Sequence, residues 1–273
     1  MSLFAVDQEK CTRCGVCSEV CPLYLIEIHT DKGPSPVDGE EDSCINCGHC
    51  VSVCPSSAFS LATMPSENCP PMEKDLKLSK VQAEHFLRSR RSIRCYKEDT
   101  VPRDILKELV ELARYAPTGH NLQSVSWKII YSKDEVVKLK NLVIDWMKNM
   151  HVKKPEMAKA LNMEYIIEAD SKGLDVVLRN APHLIIAHGL KDDRTCASSC
   201  RIAMSYLDLS AQTFELGTCW AGFLDIALMF WKPLQDALEL PEGHVSSCSM
   251  MIGYPVHSYH RMPLRKEPTI TWK

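Results

Sequence analysis

The sequence predicts an α+β fold in two parts. A cysteine-rich segment over residues 1–64 precedes a linker over 65–78 and a larger domain over 79–273. Three observations lead there. Eight of the fourteen cysteines fall in two equally spaced groups before residue 55. Residues 65–71 read Pro-Ser-Glu-Asn-Cys-Pro-Pro, an extended spacer. Beyond them helical periodicity dominates, and the strand-like runs do not alternate regularly with helices as in a doubly wound sheet.

The elements follow in order. Residues 3–64 are short runs separated by Gly, Pro and Asp. Leu78 to Arg88 form a candidate helix, and Pro102 to Ala116 another. In the second, Ile105, Leu109, Leu112 and Ala116 recur every three to four positions, with Pro102 in the first turn and Pro117 as terminator. Trp127 to Tyr131 read as a strand, and Lys133 to Met150 and Pro155 to Ala169 as helices. Leu184 to Ala187 is a short buried strand, and Cys196 to Leu216 a long helix closed by Gly217 as C-cap. Thr218 to Phe223 and Val245 to Ile252 complete the strands.

Composition narrows the function. Hydrophobic residues make up 45% and charged residues 25%, values of an ordinary globular chain. A net charge of −3 gives no support to a nucleic-acid or anionic-membrane partner. Charge is uneven, with a balance of −6 over residues 1–66 and +3 beyond. No apolar run approaches the ~18 residues of a membrane span. The start, MSLFAVDQEKC, lacks the pattern of a secretory signal. Together with the compact cysteine groups, this predicts a cytoplasmic protein with metal-bound thiolates.

Those groups are Cys11-x-x-Cys14-x-x-Cys17-x-x-x-Cys21-Pro22 and Cys44-x-x-Cys47-x-x-Cys50-x-x-x-Cys54-Pro55, an internal repeat of period 33. Three thiolates at two-residue gaps suit three corners of a [4Fe–4S] cubane. The fourth, before Pro, ligates the other cluster. One cluster then uses Cys11, Cys14, Cys17 and Cys54, and the other Cys44, Cys47, Cys50 and Cys21. Zinc more often takes two separated ligand pairs than runs of four, and disulfides suit a secreted chain. The segment resembles bacterial-type ferredoxins. Two such clusters suggest a wire for single electrons.

In the larger domain, Arg88-Ser-Arg90-Arg91-Ser92-Ile-Arg94 concentrates four guanidinium forks and two hydroxyls, a pattern suited to a phosphate. A solvated basic helix end is the plainer alternative. The stretch is followed by Ala116-Pro-Thr-Gly-x-Asn-x-Gln123, Trp220-x-Gly-Phe223, Gly253-Tyr-Pro255 and Arg261-x-Pro263. This ordered set resembles the FMN-dependent nitroreductase family, in an arrangement with a ferredoxin fused ahead. The resemblance implies a mainly antiparallel sheet flanked by helices and a homodimer with FMN at the subunit interfaces. It implies that Arg90, Ser92 and Arg94 hold FMN, with Arg91 contributing through its backbone. It also implies that Pro117, Thr118, Gly119, His120 and Asn121 form a loop reaching FMN from the partner subunit. Gly222 would let the backbone approach the ring, and Arg261 would contact phosphate. Ser124 stands where the family commonly has Pro, so a less rigid loop is expected. Ala221 stands where some members carry Glu.

The resulting expectation is an FMN-dependent oxidoreductase. Two [4Fe–4S] clusters deliver single electrons, and FMN passes them in pairs to a small electrophile: a nitroaromatic, quinone or activated alkene. Two alternatives stay open. NAD(P)H could be the donor, with the clusters exporting electrons to an external ferredoxin or other redox protein. Or the chain could be an electron-carrier subunit without a small substrate. No G-x-G-x-x-G or P-loop is present, and no catalytic side chain stands out. Cys196 and Cys200, one helical turn apart, read as structural thiols or as a stabilised thiolate pair. Trp146, Met147, Met150, Met157, Met163 and Tyr165 read as core or as an apolar lid.

Overall fold

The computed structural model describes residues 3–39 and 41–273. These divide into two units, one of residues up to Leu78 with His120–Leu122, the other of Ser79–Gly119 with Gln123–Lys273.

The first unit is a folded repeat. Strand β1 (Phe4–Val6), helix α1 (Val16–Glu19), strands β2 (Ile26–His29) and β3 (Gly33–Pro36), helix α2 (His49–Val53) and strand β4 (Phe59–Leu61) follow in order. β1 pairs antiparallel with β4, and β2 with β3. The backbone repeats with the sequence period: Arg13 and Asn46, Gly15 and Gly48, Tyr24 and Ser57 all have positive φ. Left-handed residues cost non-glycines about 1 kcal/mol or more each, so their recurrence marks a turn that the cysteine spacing requires. The apolar core is small, a cluster around Phe4 and Phe59, whose ring centroids lie 4.4 Å apart.

The second unit is α+β. Helices α3 (Lys80–Ser89) and α4 (Arg103–Ala113) lead to strand β5 (Ser126–Ile130). Helices α5 (Lys133–Lys153), α6 (Pro155–Ala160) and α7 (Met163–Ser171), strand β6 (His183–Leu190) and helix α8 (Cys196–Ala211) follow. Strand β7 (Gly217–Trp220), helices α9 (Gly222–Phe230) and α10 (Lys232–Ala237) and strand β8 (His244–Gly253) complete it. The sheet order is β5-β6-β8-β7, every pair antiparallel. The two-residue period of a strand sends β6 side chains alternately into two cores. Leu184 and Ile186 face the layer of α5, α7, α9 and α10, and Ile185 and Ala187 face α4 and α8. On α8, Cys196, Cys200, Met204, Leu207 and Ala211 form the matching stripe.

Three expectations need correction. The long helix does not run to Leu216 with Gly217 as its cap. It ends at Ala211, a 3₁₀ turn follows, and Glu215 takes the left-handed position at φ 58° while Leu216 N donates to Ala211 O at 3.0 Å. Gly217 opens β7, and a Cβ there would collide with Ile93. Residues 155–169 form two helices, broken at Asn162, which is left-handed at φ 51°. β7 stops at Trp220, and the run from Gly222 to Phe230 is helical. That run is apolar on most sides, so its periodicity could not announce a helix.

His183, buried at the start of β6, joins three segments. Its Nδ1 lies 2.8 Å from Tyr131 O, and its Nε2 accepts the Val101 N–H at 3.0 Å. Only the neutral ring with hydrogen on Nδ1 satisfies both. Burial holds its pKa below the usual 6.5, against the pull of the Tyr131 carbonyl. A histidine depressed on folding contributes stability that is complete above the unfolded value and is lost as pH falls below it. Urea midpoints are therefore expected to fall between about pH 7.5 and about pH 5.5. His183→Gln should flatten that fall and cost about 1–3 kcal/mol at the higher pH; denaturation of both proteins at both pH values checks this.

Candidate functional site

Four cysteines from both motifs meet at each of two cavities in the first unit. Cys11, Cys14, Cys17 and Cys54 line one, walled by Val16, Pro34 and Phe59 among others. Cys21, Cys44, Cys47 and Cys50 line the other, with Phe4, Ile26 and Leu61. Among the described residues no three potential ligands converge as they would on a single ion; the thiols ring a space instead. Each motif thus sends its last cysteine to the other motif's cavity, as crossed ligation requires. The backbone completes the pattern at period 33: Leu25 N lies 3.4 Å from Cys21 Sγ, and Ala58 N 3.2 Å from Cys54 Sγ. Such N–H···S bonds favour thiolate and tune a bound cluster. Burial pushes the Cys50 thiol up to about 11 and raises Cys17, so loading a cluster must displace those protons. Cys54 is lowered, the amide of Ala58 and Ser56 outweighing its burial.

In the second unit, the arginine segment lies along β7. Ser92 forms a parallel bridge with Thr218, and Ile93 N donates to Thr218 O at 2.8 Å. Arg90 is half-buried, with Nη1 3.6 Å from Asp208 Oδ2. Asp208, buried on α8, accepts a short bond from the Thr218 hydroxyl. Arg91 folds back to donate to the Arg88 carbonyl, and Arg94 is exposed. Gly222 follows β7 by two residues. It is exposed, and a Cβ there would meet no protein atom within 4 Å. The arginine segment thus pairs with β7 at Ser92 and Thr218, and Gly222 lies two residues beyond the end of the strand with open space at its Cβ position.

The loop expected to reach the cofactor is strained and anchored. His120, Asn121 and Gln123 all have positive φ, each costing about 1–3 kcal/mol that the surroundings must hold. Gln123 N donates to Thr118 Oγ1 at 2.9 Å. Ser124 Oγ donates to Asp193 Oδ2 at 2.7 Å, and Asp193 Oδ1 also accepts from the Thr195 N–H and hydroxyl. These bonds hold the Asp193 carboxyl below its ordinary pKa, Ser124 foremost. Where the family commonly has Pro, Ser124 thus ties the loop to Asp193 through its side chain. Gly119 is the residue the chain needs against Thr195, whose side chain a Cβ would strike. Pro117 is exposed. Residues 120–122 belong to the first unit, where Asn121 Nδ2 donates to Ile45 O at 3.2 Å and Asn46 O at 2.9 Å. Arg261 is exposed in a terminal segment without helix or strand, five residues after Val256, whose N donates to Cys95 O at 3.0 Å.

Other side chains resolve toward structure. Cys196 and Cys200 are buried with sulfurs 3.9 Å apart, and burial pushes the Cys200 thiol up to about 12, the opposite of a stabilised thiolate. Trp146, Met147 and Met163 are core, and Tyr165 is exposed. Sequence reasoning missed Asp208, Thr218, Asp193 and Thr195. An acid inside the apolar stripe of α8 was the available signal for Asp208.

The comparisons with known proteins agree with this division. A model described as the nitroreductase family matches residues 87–254, and a 4Fe-4S dicluster domain model matches residues 10–58. A Thermus thermophilus protein named NADH dehydrogenase is 27% identical over 201 residues, 67% of this chain and 92% of that one. A Bacillus subtilis protein carrying the name NAD(P)H nitroreductase YfhC is 28% identical over 172 residues, 62% of this chain and 82% of that one. Among solved structures, a nitroreductase with bound FMN from Bacteroides fragilis shares the fold at TM-score 0.57 and 20% identity, over 71% of this chain and 98% of that one.

Proposed function

For a chain that belongs to the nitroreductase family and carries a 4Fe-4S dicluster domain ahead of it, we propose a specific electron route. It is a nitroreductase-like flavin oxidoreductase; the proposal concerns how electrons reach and leave its flavin. Two [4Fe–4S] clusters, one in each four-cysteine cavity, exchange electrons with one FMN held by the second unit, and a small electrophile takes them off in pairs. The observation that carries this reading is one chain holding two cavities ringed by four cysteines each and a domain of a flavin-using family.

The residues fit the groups they would hold. Arg90, Ser92 and Arg94 supply donors for a phosphate and its neighbouring oxygens. Asp208 fixes the Arg90 guanidinium and balances part of its charge. The open face at Gly222 admits a planar ring, and α9 begins there without a side-chain cap, leaving first-turn amides for an acceptor. When bound, FMN accepts electrons singly or in pairs and passes a pair onward. The protein's part is to position and to exclude water; nitroaromatics, quinones and activated alkenes are the substrate class.

The active form in this reading is a homodimer in the cytoplasm. Val81, Leu87, Leu264 and Trp272 are among the chain's exposed apolar side chains.

A second reading has a specific basis: the names of both relatives refer to nicotinamide cofactors. In it NAD(P)H reduces the flavin and the clusters export electrons. One preparation decides. Anaerobically purified protein is expected to contain flavin, iron and sulfide and to sediment as a dimer. Mixed rapidly with reduced ferredoxin, it should lose its flavin colour and regain it on adding a nitroaromatic or quinone. Bleaching by NAD(P)H but not by ferredoxin would favour the second reading, and a preparation without flavin would sink both.

A further inference from the structure

Two buried polar atoms next to Gly222 lack partners. Asp225 stands in the first turn of α9, three residues after that glycine, and its Oδ1 is buried without a hydrogen bond. Ser249, on β8, is 0% exposed, and its Oγ is likewise unpartnered. The backbone holds the two together: Ala221 N donates to Ser249 O at 2.9 Å, and Asp225 N donates to Ala221 O at 3.0 Å. Unpaired buried polar atoms are costly and call for an explanation. The Ser249 hydroxyl can donate to a carboxylate, and a protonated carboxyl can donate to the hydroxyl in turn, so the pair accommodates either charge state.

We propose that Asp225 is the proton store of the flavin site. When negative charge arrives in the open space beyond Gly222, an O–H bond forms on the Asp225 carboxylate with a proton from solvent. When the charge leaves, that proton returns to solvent. The electrons come from the donor of the reading above, on which this proposal rests. The first turn of a helix spans ~5 Å, so a charge before Gly222 acts on Asp225 with little screening in a partly buried site.

The surroundings suit this role. Burial pushes the Asp225 carboxyl up to about 6, while Ser249 on β8 and Arg201 on α8 pull it down. Ser249 thus acts on the carboxyl through both its hydroxyl and its backbone amide, at the edge of hydrogen-bonding geometry. Cys248 on β8, the other titratable neighbour, is kept a neutral thiol by burial first and by Asp225 next. Asp225 thus changes charge close to neutral pH, and added negative charge nearby raises its proton affinity further.

The test uses flavin-loaded wild type, Asp225→Asn and Ser249→Ala. Each is reduced by an electrochemically generated viologen radical, which brings electrons without protons. An indicator dye in weak buffer reports proton uptake. Between about pH 6 and 7, wild type is expected to take up more protons per flavin than Asp225→Asn, by up to ~1. The difference should vanish near pH 4, where the carboxyl is protonated before and after reduction. Ser249→Ala should move the window to higher pH, since the hydroxyl that lowers the carboxyl's pKa is gone. Equal uptake by wild type and Asp225→Asn at every pH, with flavin bound in both, would overturn the proposal and leave the flavin reading intact. Absence of bound flavin from wild type overturns both, and absorbance shows which case holds. If Asp225→Asn does not fold, an unshifted window in Ser249→Ala is enough to reject the proton store.

Discussion

Replacing Gly222 with valine is expected to abolish flavin binding while the protein stays folded. The two effects separate because of what surrounds the residue. A Cβ at Gly222 meets no protein atom within 4 Å, so valine strikes nothing in the chain itself. Gly222 is the first residue of α9 and has no positive φ, so an L-residue fits the backbone, with a gain in helix propensity of a few tenths of a kcal/mol. The valine methyls instead fill the space that a flavin ring requires. Apparent affinity for FMN should fall by at least ~100-fold, about 2.8 kcal/mol, with little change in melting temperature. Fluorescence titration of the flavin-free protein and a thermal scan measure both. Undiminished binding would put the flavin somewhere other than before Gly222.

Cys54→Ala is expected to have the largest effect on the first unit. α1 and the residues just after it carry Cys17 toward one cavity and Cys21 toward the other; α2 does the same with Cys50 and Cys54. Each short helix is thus held from both ends, and losing one thiolate releases both. The apolar cluster around Phe4 and Phe59 is small, so the unit has little else to hold it, because small domains bury too small a fraction of their surface. Iron content should fall by roughly half or more, with proteolysis opening the segment before residue 79. Flavin content should persist, since the second unit has its own two cores. Cys69→Ala is the control: Cys69 lines neither cavity, its sulfur lying 3.5 Å from Pro65 O, and it should keep its iron.

Elements whose cause is local were readable beforehand. α4, α5 and α8 present stripes at helical spacing, and β5, β6 and β8 lie within two or three residues of their expected places. Where a structure depends on a neighbour, local pattern misled. Gly217 looks like a helix cap, yet it is small because Ile93 packs against it, 124 positions earlier in the chain. α9 buries Leu224, Ala227 and Leu228 but carries apolar residues on its exposed side as well, Met229 and Phe230 among them, so it shows no apolar–polar periodicity of the kind that identifies a surface helix.

The same division runs through the candidate site. The sequence by itself determined the two four-cysteine sets and the arginine–serine segment, because a cluster's corners and a phosphate's oxygens demand ligands at fixed short spacing, and short spacing is written in the chain. Only the tertiary structure decided which polar groups stand behind them. Asp208 meets Arg90 and Thr218, Ser124 meets Asp193, and Asp225 meets Ser249 through helix and sheet packing. The energy of those pairs comes from burial, which lowers the local dielectric and makes each unpaired group costly. Burial is a property of the folded chain, so no spacing in the sequence could announce it.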